Sequence, residues 1–112
     1  MKRSYLNRRL VLETPVRIAD GAGGFRETWD ALGEIWAEVI PRRGREATSG
    51  GLSISRTGFA ITLRAAPSGS VERPQPYQRF REGSRVFSIQ AVAECDPQGR
   101  YLTCQVQEEV AV

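Results

Sequence analysis

The chain has no histidine, a single lysine (Lys2) and only two cysteines among its 112 residues. Each shortage excludes something. Without histidine, the commonest general base near neutral pH and the commonest transition-metal ligand are both missing. Two cysteines, Cys95 and Cys104, cannot close a structural zinc site, and a thiol nucleophile here has no imidazole to activate it. They read as two small buried hydrophobes, with a disulfide as the alternative. No stretch approaches the roughly 20 apolar residues of a membrane-spanning helix, so no membrane partner is expected. The charged start, residues 1–9, is not followed by an apolar run, because Leu10-Val11-Leu12 meets Glu13 at once. A secretory leader is therefore not expected, and the cytoplasm is the default compartment.

What is present points to a small β protein. A chain of this length builds one core, so one domain over residues 1–112 is expected. Hydrophobic residues make up 40% and charged residues 26%, a globular balance. Eleven glycines and six prolines demand many turns between short apolar runs. The net charge is +3, with acidic residues spread among the arginines, which permits an acidic partner without demanding one. Nearly all the basic residues are arginine, which suits planar, hydrogen-bonded contacts at interfaces.

Along the chain, residues 9–18 alternate as a strand. Leu10, Leu12, Val16 and Ile18 share one face, Arg9, Glu13 and Arg17 the other, and Pro15 predicts an edge or a break. Asp20-Gly21-Ala22-Gly23-Gly24 reads as a hairpin turn, not as a phosphate-binding glycine loop, because no helix pattern follows it. Residues 25–29 resume an extended pattern and 30–33 read as a short connection. Residues 34–40 form a strand ended by Pro41, covered on both faces. Residues 42–58 are the least core-like, and a loop this long in a compact domain is usually functional or disordered. Phe59, Ile61 and Leu63 alternate in a further strand. Residues 65–78 are proline-rich and irregular, residues 78–81 pair briefly, and Gly83-Ser84 is a turn. In the last third, Phe87, Ile89, Ala91, Ala93 and Cys95 share a face. A hairpin through Asp96-Pro97-Gln98-Gly99 places Cys95 opposite Leu102 and Ala93 opposite Cys104. The whole reads as an all-β small barrel or sandwich of about five to seven short antiparallel strands with one long loop.

The carboxylates are scattered, with no pairing that indicates acid–base chemistry. No catalytic residue, cofactor site or metal site is expected. The candidate contact residues are Arg42, Arg43, Arg45, Glu46 and Arg56 of the long loop. They suit solvent, carboxylates of a neighbouring subunit, or DNA phosphates. An OB-like single-stranded nucleic-acid binder is the alternative function. Its stacking platforms would come from Phe25, Trp29, Trp36, Phe59, Tyr77, Phe80, Phe87 and Tyr101. Most of these fall at core parity or beside turns, so core packing explains them more simply.

An ordered set of motifs resembles the phage head–tail joining protein family. It runs Asp20, Gly23-Gly24-Phe25 and Glu27-Thr28-Trp29, then Ile35-Trp36-Ala37-Glu38-Val39-Ile40-Pro41 and Gly44-Arg45-Glu46. It continues with Ile61-Thr62-Leu63-Arg64, Gln78-Arg79-Phe80, Phe87-Ser88-Ile89 and Leu102-Thr103-Cys104. The resemblance implies a β-barrel connector, a stopper or head-completion protein at the neck of a tailed-phage or gene transfer particle. Such a protein is synthesised in the bacterial cytoplasm and forms a ring, usually a hexamer. The ring lies below the portal and its adaptor and above the tail terminator or tail tube protein, with DNA passing through it. By position, residues 42–58 correspond to the loop that projects into the channel. The isolated chain is expected to be largely monomeric.

Overall fold

The computed structural model describes residues 5–42, 47–49, 52–54, 58–67 and 69–109. The fold is all-β. Strands β1 (Arg8–Ala19), β2 (Phe25–Pro41), β5 (Gly58–Arg64), β6 (Arg79–Glu82), β7 (Arg85–Glu94) and β8 (Tyr101–Glu109) are all antiparallel. They close on themselves in the order β1–β2–β5–β8–β7–β6, a six-stranded barrel. Two shorter strands, β3 (Ala47–Ser49) and β4 (Leu52–Ile54), pair with each other in a separate two-stranded sheet, within the stretch read as one long loop.

Inward residues from every barrel strand make the core. Leu10, Leu12, Ala37, Ile61, Leu63, Phe80, Phe87, Ile89, Leu102, Cys104 and Val106 are buried, and Phe59 meets Phe87 edge to face with ring centroids 5.5 Å apart. This is the period-two pattern of strands with one face on a core.

Two bulges displace the faces from a simple alternation. The first skips Leu32, because Leu12 pairs with Gly33 while Glu13 pairs with Ala31. Residues 30–33 are therefore not a connection but the middle of one continuous strand. The second skips Gln90 in β7, so Val92 rather than Ala93 lies opposite Cys104, and Leu102 faces Glu94 rather than Cys95. Val92 turns to the core, while Ala91, Ala93 and Cys95 are exposed. Of the two cysteines read as buried, only Cys104 is, and burial pushes its thiol up to about 12.

The strand directions give the barrel two unlike ends. At one end, β1 begins, β2 passes into residues 43–57, the β6–β7 turn lies and β8 finishes. At the other end are the β1–β2 turn, the β7–β8 turn and the proline-rich stretch. That stretch seals its end. Pro74 and Gln78 are buried, and the Arg73 guanidinium donates to the Ala66 carbonyl at 2.9 Å.

Beyond Glu13 the outer edge of β1 has no further pairing with β6, whose ladder stops at Glu13↔Arg79. Residues 14–31 thus form a two-stranded arm that leaves the barrel. Pro15 sits within it, paired with Trp29 on one side only, the edge position that a residue without an N–H tolerates. At the tip, Asp20 accepts hydrogen bonds from the N–H groups of Ala22 (2.8 Å) and Gly24 (3.0 Å), and its own N–H bonds the Gly24 carbonyl at 3.1 Å. Gly21 and Gly23 have φ of 80° and 84°, which is why glycine occupies both positions.

Candidate functional site

The loop residues singled out from the sequence are placed only in part. Arg42 is exposed at the end of β2, its N–H bonding the Gly58 carbonyl at 2.9 Å and its side chain lying along Gly58. Arg43, Arg45, Glu46 and Arg56 lie outside the described residues.

Two other arrangements stand out, neither read from the sequence. The first is a stripe on the outer face of β1 and β2. Ile35 and Val39 of β2 pack toward the core, so Trp36 points outward, opposite Arg9. The extra residue at the Leu32 bulge brings Trp29, seven positions earlier, to the same outer face. Phe25 follows at the same parity. Each ring carries a guanidinium: Arg9 lies 5.2 Å from the Trp36 centroid, Arg79 4.0 Å from Trp29 and Arg17 5.5 Å from Phe25. These are cation–π distances. Phe25 is 65% and Trp36 52% exposed, so core packing does not explain them. It does account for Phe80 and Phe87, which are buried, and for Phe59, which packs on the core.

In the middle of this stripe is Glu13. Alternation put it on the solvent face, and it does point away from the core. It is nevertheless 5% exposed, because β6 closes over it. Arg79 Nε donates to one oxygen at 2.7 Å and Arg81 Nε to the other at 2.9 Å. Burial raises this carboxyl, but the hydrogen bonds from Arg81 and Arg79 lower it by more, and it ends below the usual carboxylate range. Arg79 is thereby held between a carboxylate and an indole.

The second arrangement is a run of ion pairs at the end from which residues 43–57 leave. Arg8 forks onto Glu82, with Nε at 2.7 Å, and Arg85 approaches Glu82 at 3.9 Å. Arg85 also grips Glu108 through two bonds of 2.8 and 3.1 Å, with its guanidinium 5.0 Å from the Phe87 centroid. The arginine hydrogen bonds hold Glu82 and Glu108 below the ordinary carboxylate range. The network ties β1, β6, β7 and β8 together at this rim. Arg8 and Glu82 are 74 positions apart, so no local pattern announces them. Among the described residues, no group of three or more His, Cys, Asp or Glu side chains is placed to hold a metal ion.

The class these features define is a closed, small, all-β barrel that bears a protruding ribbon and an arginine-rich exterior. The chain belongs to the phage head completion protein family, whose model matches residues 1–109. It is similar to a chain in the virion of a native gene transfer agent particle, at 53% identity and a TM-score of 0.79, covering 97% of this chain and 100% of that one. The solution structure of protein SF1141 from Shigella flexneri 2a shares the fold at 23% identity, with a TM-score of 0.68 and 96% of each chain covered. No curated protein matches.

Proposed function

We propose that this protein is a head–tail connector of a tailed-phage-like particle, specifically a gene transfer agent: a stopper that closes the DNA-filled head and docks the tail. The observation that carries the reading is the family match over residues 1–109, joined to 53% identity with a gene transfer agent virion chain over its full length. The barrel carries different material at its two ends, as a part between a head and a tail requires. Copies form a ring, a hexamer, between the portal and its adaptor on one side and the tail terminator or tail tube on the other. Residues 42–58 project toward the channel as part of the one connector domain, with Arg42, Arg43, Arg45, Glu46 and Arg56 contacting DNA or a neighbouring subunit. The role is mechanical and not catalytic.

The test is electron microscopy of particles from a strain lacking the gene. Separate tails of normal length beside emptied heads are expected. Intact tailed particles would overturn the connector reading. The exposed Phe25 and Trp36 rings keep one other reading in play, single-stranded nucleic-acid binding. A salt-titrated binding assay separates the two, since a true binder holds its affinity near physiological salt and shows a steep salt slope.

A further inference from the structure

Strand β2 is paired along only one edge for most of its length. On one side it pairs with β1, from Phe25 to Ala37, whereas β5 covers the other edge only from Ala37 to Pro41. Between Phe25 and Ile35 that second edge has no partner among the described residues. The Asp20 N–H bonds the Gly24 carbonyl, so Asp20 and Gly24 form a bonded pair. Alternation along an antiparallel ladder then turns the N–H and C=O groups of Phe25, Glu27 and Trp29 away from β1, toward the open edge. At about 3.3 Å per residue this edge is roughly 35 Å long. The two edges of the arm are guarded differently. The β1 edge carries Pro15, which has no N–H to offer, while β2 has no proline between Phe25 and Ile40.

A cleft of about 460 Å³ opens at the barrel end of this edge. Glu34, Ile35 and Trp36, successive residues of β2, all line it. Successive side chains point to opposite faces of a strand, so the three share one cleft because it runs along the strand's edge. The far wall is residues 63–67, again successive. There β5 parts from β2 and stays with β8, through the bond from the Ala65 N–H to the Arg100 carbonyl at 2.8 Å. Leu6, Ile35, Leu63 and Pro67 make the cleft apolar.

We infer that the open edge of β2 takes an extended segment of a different protein as an added strand, with an apolar side chain of that segment in the cleft. The edge itself specifies the occupant. A row of alternating N–H and C=O groups is satisfied by another strand, whereas a phosphate backbone would accept from the donors and leave the carbonyls bare. The cleft is walled on both sides, by β2 and by residues 65–67, so a lone chain enters it and a paired strand does not. Every described strand of this protein is already paired, β3 and β4 with each other included. No described strand of a second copy is therefore free to supply the segment. This inference rests on the connector reading, which sets the chain among other proteins of a particle.

The experiment uses whole particles in which a benzophenone amino acid replaces Glu27 or Ala31, both exposed positions of the arm. Purified particles are illuminated and digested, and the cross-linked peptides are sequenced by mass spectrometry. Both positions should join one segment of a different protein. Their two points of attachment should lie as far apart in that segment as 27 and 31 do here, the one-to-one register of paired strands. Attachment to a second copy, to this chain's own residues 1–4 or 110–112, to scattered sites, or to nothing although the chain is present, would overturn the inference and leave the connector reading standing. Absence of the wild-type chain from particles would overturn the connector reading itself. A second variant reads the backbone directly. Glu27→Pro removes an edge-facing N–H, as Pro15 does on β1, and its melting temperature should stay close to that of wild type. Cross-linking from position 31 should then fall by about tenfold or more, because a lost hydrogen bond and a ring in the ladder weaken the pairing together. Unchanged cross-linking in that variant would equally overturn the inference.

Discussion

Strands β1 and β2 run together through two environments, and the contrast shows what holds this protein together. Within the barrel, Leu10, Leu12 and Ala37 are fully buried, and β5 and β6 cover the outer edges of the pair. In the arm, from Thr14 to Ala31, the same ladder continues with no buried residue at all. The backbone hydrogen bonds are of the same kind in both halves. What differs is apolar burial, and an isolated two-stranded ribbon is marginal in water. The stacked Trp29–Arg79–Glu13 group at the root fastens the arm to β6.

The sharpest way to break the contrast is to truncate inside the barrel half. Leu12→Ala should cost about 3 kcal/mol in denaturant unfolding, as large cavities in close-packed cores do. Next is the root. Glu13→Gln leaves the mostly buried Arg79 and the half-exposed Arg81 without a counter-charge and should cost about 2 kcal/mol. It should also change the acid limb. The carboxyls of Glu13, Glu82 and Glu108 are lowered on folding, so their contribution is complete above the ordinary value of 4.5 and is lost as pH falls through the lowered ones. Melting temperature measured against pH should therefore drop below about pH 4.5, and less steeply in Glu13→Gln. At the tip, Gly23→Ala forces a side chain into φ of 84° and should cost about 1 kcal/mol, read as faster amide exchange confined to residues 17–27. The smallest effect belongs to Ile18→Ala, within about 0.5 kcal/mol, because its side chain is already in water. A cost equal to that of Leu12→Ala would mean that the arm is packed against something in the free chain. Sizing with light scattering, where a monomer is expected, excludes a second copy as that something.

The alternation of apolar residues is enough to place most strands and the all-β class, and the glycines and Asp20 mark the Asp20–Gly24 turn. It failed where the period itself is interrupted. Gly33 beside Leu32 is a faint mark of the first bulge, and with residues 30–32 it reads instead as a short connection. Nothing at Gln90 marks the second, and its extra residue sends Cys95 outward and Val92 inward. A one-residue offset is enough to exchange the two faces. Trp36 and Ile40, read as covered, lie on the outside of β2 because β2 has a core on one side only. The ion pairs were illegible for another reason. Glu13 meets its partners across 66 and 68 positions, a proximity that exists only once the sheet has closed. The family resemblance read from the ordered motifs agrees with the matched model, while the long-loop arginines other than Arg42 fall outside the described residues.

The seam that closes the barrel is also its shortest. β1 and β6 share only Val11↔Arg81, Leu12↔Phe80 and Glu13↔Arg79, and joining them closes a longer span of chain than any other strand pair. Loop-closure entropy makes such a contact slow to form, so the hairpins β1–β2 and β7–β8 precede it in folding. A contact made after the rate-limiting barrier reveals itself when it is lost, in the unfolding limb of a chevron and not in the refolding limb. Weakening the seam at Glu13 would thus leave the chain folding at its usual speed while shortening the lifetime of each folded copy. In the proposed stopper role, which keeps the barrel shut over packaged DNA, lifetime is the quantity that matters.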